Sequence, residues 1–172
     1  MTTALRPLLA PDPALPAREL LLDAELALML VRHCLEHPGG PRISACRRVK
    51  AKYRIGESLR VLFRVDVGET THFVAARMFP DGRAASVHDE AQRHAVAGGP
   101  LHPIGLDEAS GTVFWTFPND RRIRHLTALL QPRAEFDTAL RGRWTESRLV
   151  AYAPERAATA QCLNAAGAVL GY

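Results

Sequence analysis

Lysine is almost missing from this 172-residue sequence: of 22 cations only Lys50 and Lys52 are lysines, and the rest are arginines. Heavy arginine and alanine use fits a GC-rich coding sequence better than a surface selected to hold phosphate. No basic run is interleaved with aromatics, and the formal charge of +4 is a mild excess. Both features argue against a nucleic-acid partner. Cysteine is scarce as well. Cys34, Cys46 and Cys162 form no C-x-x-C pair, which excludes a disulfide framework and fits a reducing cytoplasm. No long hydrophobic run occurs. The most apolar stretch, Leu20 to Leu35, is broken by Asp23, Glu25 and Arg32, so it does not read as a membrane span. The proline-containing start, Met1 to Pro16, lacks the compact apolar core of a signal peptide. A soluble, cytoplasmic protein is expected.

Hydrophobic residues make up 47% of the chain and charged residues 23%, enough for a packed core in one domain, or one domain and the start of another. From Pro16 to Glu36 apolar residues recur at three- and four-residue steps, which predicts one helix stopped by His37-Pro38-Gly39-Gly40. Its apolar face should pack on a sheet. Three strands follow, Arg47 to Arg54, Leu59 to Val67 and His72 to Phe79, joined by the turns Ile55-Gly56-Glu57-Ser58 and Gly68-Glu69-Thr70. A helix over 84–96 comes next. Two strands, His102 to Leu106 and Thr112 to Phe117, then flank the turn Glu108-Ala109-Ser110-Gly111. Pro118-Asn119-Asp120 should cap a helix over 121–130, with a shorter helix over 133–141 and a strand over 148–152. The expected class is α+β, with one antiparallel sheet of about five strands, a helix after the third strand, and flanking helices.

The segment from Arg48 to Glu57 has an echo from Ser147 to Arg156: a basic residue, alternating apolar residues, a tyrosine, a turn and a new strand. Tyr53 and Tyr152 lie 99 residues apart, a spacing that fits a duplicated module and is too long for a solenoid repeat. The expected organisation is a lobe-like or cap module over 1–143, with its leading helix, and the start of a second module over 144–172. That second copy should lack the third strand and helix, and its apolar ending, Ala165 to Leu170, reads as a turn into another buried strand. The sequence is therefore expected to be a fragment of a longer protein.

The tyrosine–turn–strand pattern, the third strand ending Ala75-Ala76-Arg77-Met78-Phe79, and the run Trp115-Thr116-Phe117-Pro118-Asn119-Asp120-Arg121-Arg122 resemble bacterial aminoglycoside-phosphotransferase-like enzymes. The resemblance implies a kinase-like fold with a five-stranded amino-terminal lobe, and it extends to maltokinase-like proteins, whose amino-terminal cap imitates that lobe. It also implies ATP and Mg²⁺ as cofactors of the intact enzyme, a sugar or aminoglycoside-like small molecule as substrate, and the remaining kinase lobe downstream. Phosphoryl transfer needs a cation on the nucleotide phosphates, a catalytic Asp at the hydroxyl, and Asn and Asp ligands for Mg²⁺. Arg77 occupies the third-strand position where the family carries lysine, and Glu90 on the following helix is its candidate partner. A planar guanidinium grips phosphate differently from a compact ammonium. None of the seven histidines is followed two residues on by Asp, so the family's His-x-Asp catalytic loop is missing and the chain should not transfer phosphate alone. The other class of reading is a standalone, non-catalytic α+β domain that binds a partner or ligand through its sheet.

Other patterns carry less. The turn at Gly56 has one glycine and is no G-x-G-x-x-G loop. His33-Cys34-Leu35-Glu36-His37 matches H-x-x-E-H but closes its helix, where the macrodipole favours histidine without a metal. His88-Asp89-Glu90 lacks the P-C-x-x-C half of a deaminase. Ser110 has no G-x-S-x-G elbow around it, and Trp115 and Phe117 read as sheet residues.

Overall fold

A computed structural model of the chain describes residues 10–123, 125–130 and 143–172. It is α+β, with a five-stranded and a three-stranded antiparallel sheet. The chain divides into two compact units, Met1–Phe117 and Pro118–Tyr172. This division falls earlier than the 143/144 boundary expected from sequence, because Asp120 and Arg121 are tied into the hairpin of the second unit.

The first unit opens with two helices, α1 (Glu19–Leu22) and α2 (Ala24–Leu35), where periodicity predicted one. Asp23 makes the break. Its backbone is extended, and its carboxylate accepts hydrogen bonds from the Glu25 and Leu26 amides, capping α2. Apolar spacing continues across such a cap, which hides the break from a periodicity argument. α2 buries Ala27, Val31 and Leu35, a three- and four-residue stripe of the kind that packs on a sheet.

That sheet is built from β1 (Ile43–Arg54), β2 (Ser58–Val67), β3 (Thr70–Met78), β4 (Ile104–Asp107) and β5 (Thr112–Thr116), in the order β1-β2-β3-β5-β4. The expected meander is present, with Gly56 and Gly68 at positive φ in its turns. β1 starts four residues before the alternation does. Register shifts between Ile43 and Ala45 and between Arg48 and Lys50 break the pattern there, while Glu36 accepts from the Ile43 amide at 2.7 Å and holds the strand start. One sheet face (Leu59, Val61, Phe63 and Val65 on β2, Val74, Ala76 and Met78 on β3) joins α2 in the main core. The opposite face carries Ala75, Val113 and Trp115 under α3 (Ala84–Gln92), which contributes Ala84, Val87 and Ala91. α3 ends at Gln92, short of the expected Val96.

β4 passes close to the end of α2. A Cβ at Gly105 would lie 2.8 Å from both the Cys34 carbonyl oxygen and Leu35 Cδ2, so only glycine lets the strand come this near.

The second unit contains α4 (Leu126–Leu130) and the meander β6 (Glu146–Ala153), β7 (Ala157–Leu163) and β8 (Val169–Gly171). The helix expected over 121–130 is shorter, since Asp120 spends one carboxylate oxygen on the Arg122 and Ile123 amides in a turn. The helix expected over 133–141 lies outside the described residues. β8 corrects the expectation that the second copy has no third strand. It is half-exposed, with Val169 at 47%, and not the buried strand predicted. Trp144 packs here with its indole N–H donating to the Glu146 carbonyl at 2.9 Å. Among the described residues no helix is long and apolar enough to cross a membrane.

Candidate functional site

The two hairpins share one construction. In the first unit Tyr53, at the end of β1, donates its hydroxyl hydrogen to Asp12 Oδ2 at 2.5 Å, and the Gly56 amide donates to the same oxygen at 3.0 Å. The Arg18 guanidinium donates to the tyrosine oxygen at 2.8 Å. In the second unit Tyr152 donates to Asp120 Oδ2 at 2.7 Å, and the Glu155 amide donates to it at 2.9 Å. Each turn closes identically, Glu57 N–H to the Arg54 carbonyl and Arg156 N–H to the Ala153 carbonyl, both at 3.0 Å. The register agrees too: Tyr53 faces Leu59, and Tyr152 faces Ala158. Third in each turn stands a left-handed residue, Gly56 at φ 71° and Glu155 at φ 61°.

Electrostatics follow from these contacts. The Gly56 amide, and next the Tyr53 hydroxyl, hold the Asp12 carboxyl below its ordinary value. Burial, then the neighbouring Asp12, raises Tyr53. Burial, reinforced by the Asp120 charge, pushes Tyr152 well up. Both tyrosines are therefore protonated donors to a carboxylate at neutral pH. Glu155 is buried and meets Arg121 at 3.0 Å. These are anchors that fix a hairpin, since every donor is spent on the fold. Sequence reading found the tyrosines and missed Asp12; Asp120 was read as a helix cap and as part of the run from Trp115 to Arg122, without its role in the hairpin.

Arg77 lies on β3 directly opposite Arg60 on β2 and Val113 on β5. Its guanidinium carbon sits 4.6 Å from the centre of the Phe79 ring. Because side chains alternate along a strand, Arg77 shares a face with Ala75, the face that α3 covers. Glu90 follows Val87 by three residues, which puts it at the rim of the buried stripe of α3. The two candidate residues are thus on the same side of the sheet, and Arg77 lies at the end where the Gly56 turn joins β1 to β2.

The remaining motifs resolve into packing. Glu36 caps α2 and meets Arg42 at 3.2 Å besides the Ile43 amide. His37 packs against His102 in a tilted arrangement, with ring centroids 3.8 Å apart and planes at 51°. A shallow groove of about 500 Å³ lies here, lined by Arg32, Glu36, His37 and Arg42, but Arg32 donates to the Ile43 carbonyl at 2.9 Å. Among the described residues no group of three His, Cys, Asp or Glu side chains is placed to hold a metal. Ser110 donates to Thr112 Oγ1 at 2.8 Å inside its turn. Trp115 lies in the core under α3. Burial pushes the thiols of Cys34 and Cys46 up to about 12, which makes neither a nucleophile at neutral pH. No protein-family model, curated protein or solved structure matches the chain.

Proposed function

We propose that this chain is the amino-terminal cap or lobe segment of a kinase-like phosphotransferase, one that contributes architecture and is not catalytically complete by itself. The intact enzyme would be a cytoplasmic bacterial protein that moves the γ-phosphate of ATP, with Mg²⁺, to a hydroxyl of a small molecule such as a sugar or aminoglycoside. The observation that carries this reading is the hairpin built twice. Asp12, Tyr53 and Gly56 in one unit and Asp120, Tyr152 and Glu155 in the other use the same hydrogen bonds and the same register. A repeated lobe, the first copy degenerate and the second leading into the working one, explains why two such hairpins stand in one chain. The helix after the third strand, with Glu90 and Arg77 on one side of the sheet, supports the same reading.

The residues around Arg77 fit Mg²⁺·ATP poorly. The guanidinium lies on Phe79 and faces a second cation, Arg60, so it is spent on packing where a phosphate-gripping lysine would reach outward. The experiment is a calorimetric titration of the chain with ATP and Mg²⁺. Little or no heat is expected, and tight Mg²⁺-dependent binding would overturn the claim that this copy is degenerate. The gene past Tyr172 should encode a lysine-bearing strand and a His-x-Asp loop; a stop codon there would count against the reading.

A second reading, a non-catalytic domain that binds a partner through its sheet, is favoured by one observation: β1 is an edge strand with exposed, mostly basic residues from Arg47 to Lys52.

A further inference from the structure

His37 and His102 belong to different segments of the first unit, yet their rings meet with centroids 3.8 Å apart. We propose that this contact is a pH-sensitive latch: proton uptake by the pair frees the loop 37–42 from the segment that leads into β4. Both residues are half-buried. His37 follows the end of α2, and His102 stands two residues before β4. Between the segments, Glu36 and Leu101 form an isolated antiparallel bridge, and the His102 amide donates to the Leu35 carbonyl at 2.9 Å. The His102 carbonyl in turn accepts from the Thr116 hydroxyl at 2.8 Å. β5 therefore keeps hold of the His102 backbone, and the junction with the end of α2 is the part that opens.

The charges around the pair set the direction of the effect. The end of α2 and the loop after it bring Arg32, His33, Glu36 and Arg42. β4 brings Asp107, whose charge acts on Cys34, and β5 meets His102 with the Thr116 hydroxyl. Arg32, Glu36, His37 and Arg42 line one shallow groove. Glu36, the acid among them, is already engaged by the Ile43 amide at 2.7 Å and by Arg42 at 3.2 Å, with Arg32 at 3.8 Å. Two arginines against one carboxylate leave this corner positive before either histidine is charged. One imidazolium adds to the excess, and a second would lie directly against the first, which disfavours the charged form. Burial, and after it the neighbouring His37, accordingly lower His102. A histidine depressed in the closed latch and restored toward 6.5 in the open one takes up protons on opening, so opening gains as pH falls below 6.5.

The loop also has a hinge. Gly39 stands at φ 74°, a conformation open to glycine at no steric cost. At Gly40 a Cβ would meet the His37 Cβ and the His37 carbonyl oxygen, each at 3.2 Å. The chain turns tightly there, with the Gly40 amide donating to that carbonyl at 3.0 Å. Two adjacent glycines directly after His37 and Pro38 absorb the change in backbone angles that a swing of His37 requires. The inference stands on the first unit alone and holds whether or not the chain belongs to a phosphotransferase.

The test is amide hydrogen exchange followed by NMR, expressed as protection factors, between about pH 7.5 and about pH 5.5, since one proton shifts an opening equilibrium by up to about tenfold per pH unit. The amide of residue 102 reports the latch, the amides of β2 report global unfolding, and the imidazole resonances report charge. Expected in the unaltered chain is a loss of protection at His102 of about tenfold or more, following the imidazole titration. At the lower pH its exchange should respond little to dilute urea, as a local opening does, while the β2 amides stay better protected and urea-sensitive. His37→Gln removes one imidazole of the pair, and the loss at His102 should shrink to under about threefold. His94→Gln, an exposed histidine after α3, should leave it whole. Circular dichroism confirms folding; should His37→Gln unfold the protein, His102→Gln supplies the reading at the same amide. Unchanged protection at His102, a loss undiminished in His37→Gln, or exchange there with the same urea dependence as β2 would overturn the proposal.

Discussion

Tyr152 shows what a single hydroxyl does in this chain. It is half-buried, its hydrogen bond to Asp120 is 2.7 Å, and the same carboxylate oxygen accepts from the Glu155 amide. Tyr152→Phe should lower stability by about 1 kcal/mol, because a partly buried carboxylate loses a donor; urea denaturation followed by tryptophan fluorescence near Trp144 measures it. Gly56→Ala should also destabilise, by about 1 kcal/mol, since a Cβ strains the left-handed backbone. Acid sensitivity has two origins at this scale. Burial lowers His72, and burial with the neighbouring His37 lowers His102, both from 6.5. A depressed histidine leaves the unfolded chain binding more protons, so stability declines as pH falls below 6.5. The depressed carboxyls Asp12 and Asp81 add a second decline below 3.8. Melting temperature against pH should show both steps, and His102→Gln should shrink the first alone. Asp12 escaped sequence reading for a physical reason: it sits in an aperiodic, proline-rich loop, and its partners lie 41 and 44 residues away.

At the scale of elements, alternation carried most of the information. β2 and β3 are half-buried strands whose inward residues fill the main core, so their side-chain period is visible in the sequence. Elements whose ends depend on side-chain capping were misjudged. Asp23 splits the leading helix, and Asp120 replaces the first turn of another. Asp23→Ala should cost about 1 kcal/mol by removing the cap of α2, and circular dichroism during thermal melting would record it. Leu35, fully buried at the end of α2, should cost about 2–5 kcal/mol as Leu35→Ala. Gly105→Ala tests the approach of β4 to that same end. With backbone at 2.8 Å from the added Cβ, the strand must shift, and a loss of about 1–3 kcal/mol is expected from overpacking. Arg77 and Glu90 could be placed on one side of the sheet because strand and helix periods fix their faces. The like-charged row that Arg77 shares with Arg60 and Lys52 needed the register, which bulges in β1 conceal.

For the whole molecule, each of the two units carries a tyrosine-anchored hairpin of the same construction, the feature on which the proposed lobe used twice rests. The first unit completes its five-stranded sheet, with α2 packed on one face and α3 on the other, and its Arg77 lies over Phe79, where the proposed reading would ask for a phosphate-gripping cation. The second holds a three-stranded meander. Under the proposed function, the first unit would serve as cap, and catalysis would belong to a site led by the second. The most direct measurement is transfer of labelled γ-phosphate from ATP, with Mg²⁺, to a panel of sugars and aminoglycosides, by this chain and by the product of its whole gene. Transfer by the whole product and none by the chain alone is predicted. Transfer by the 172-residue chain itself, or none by the whole product with any acceptor, would contradict it.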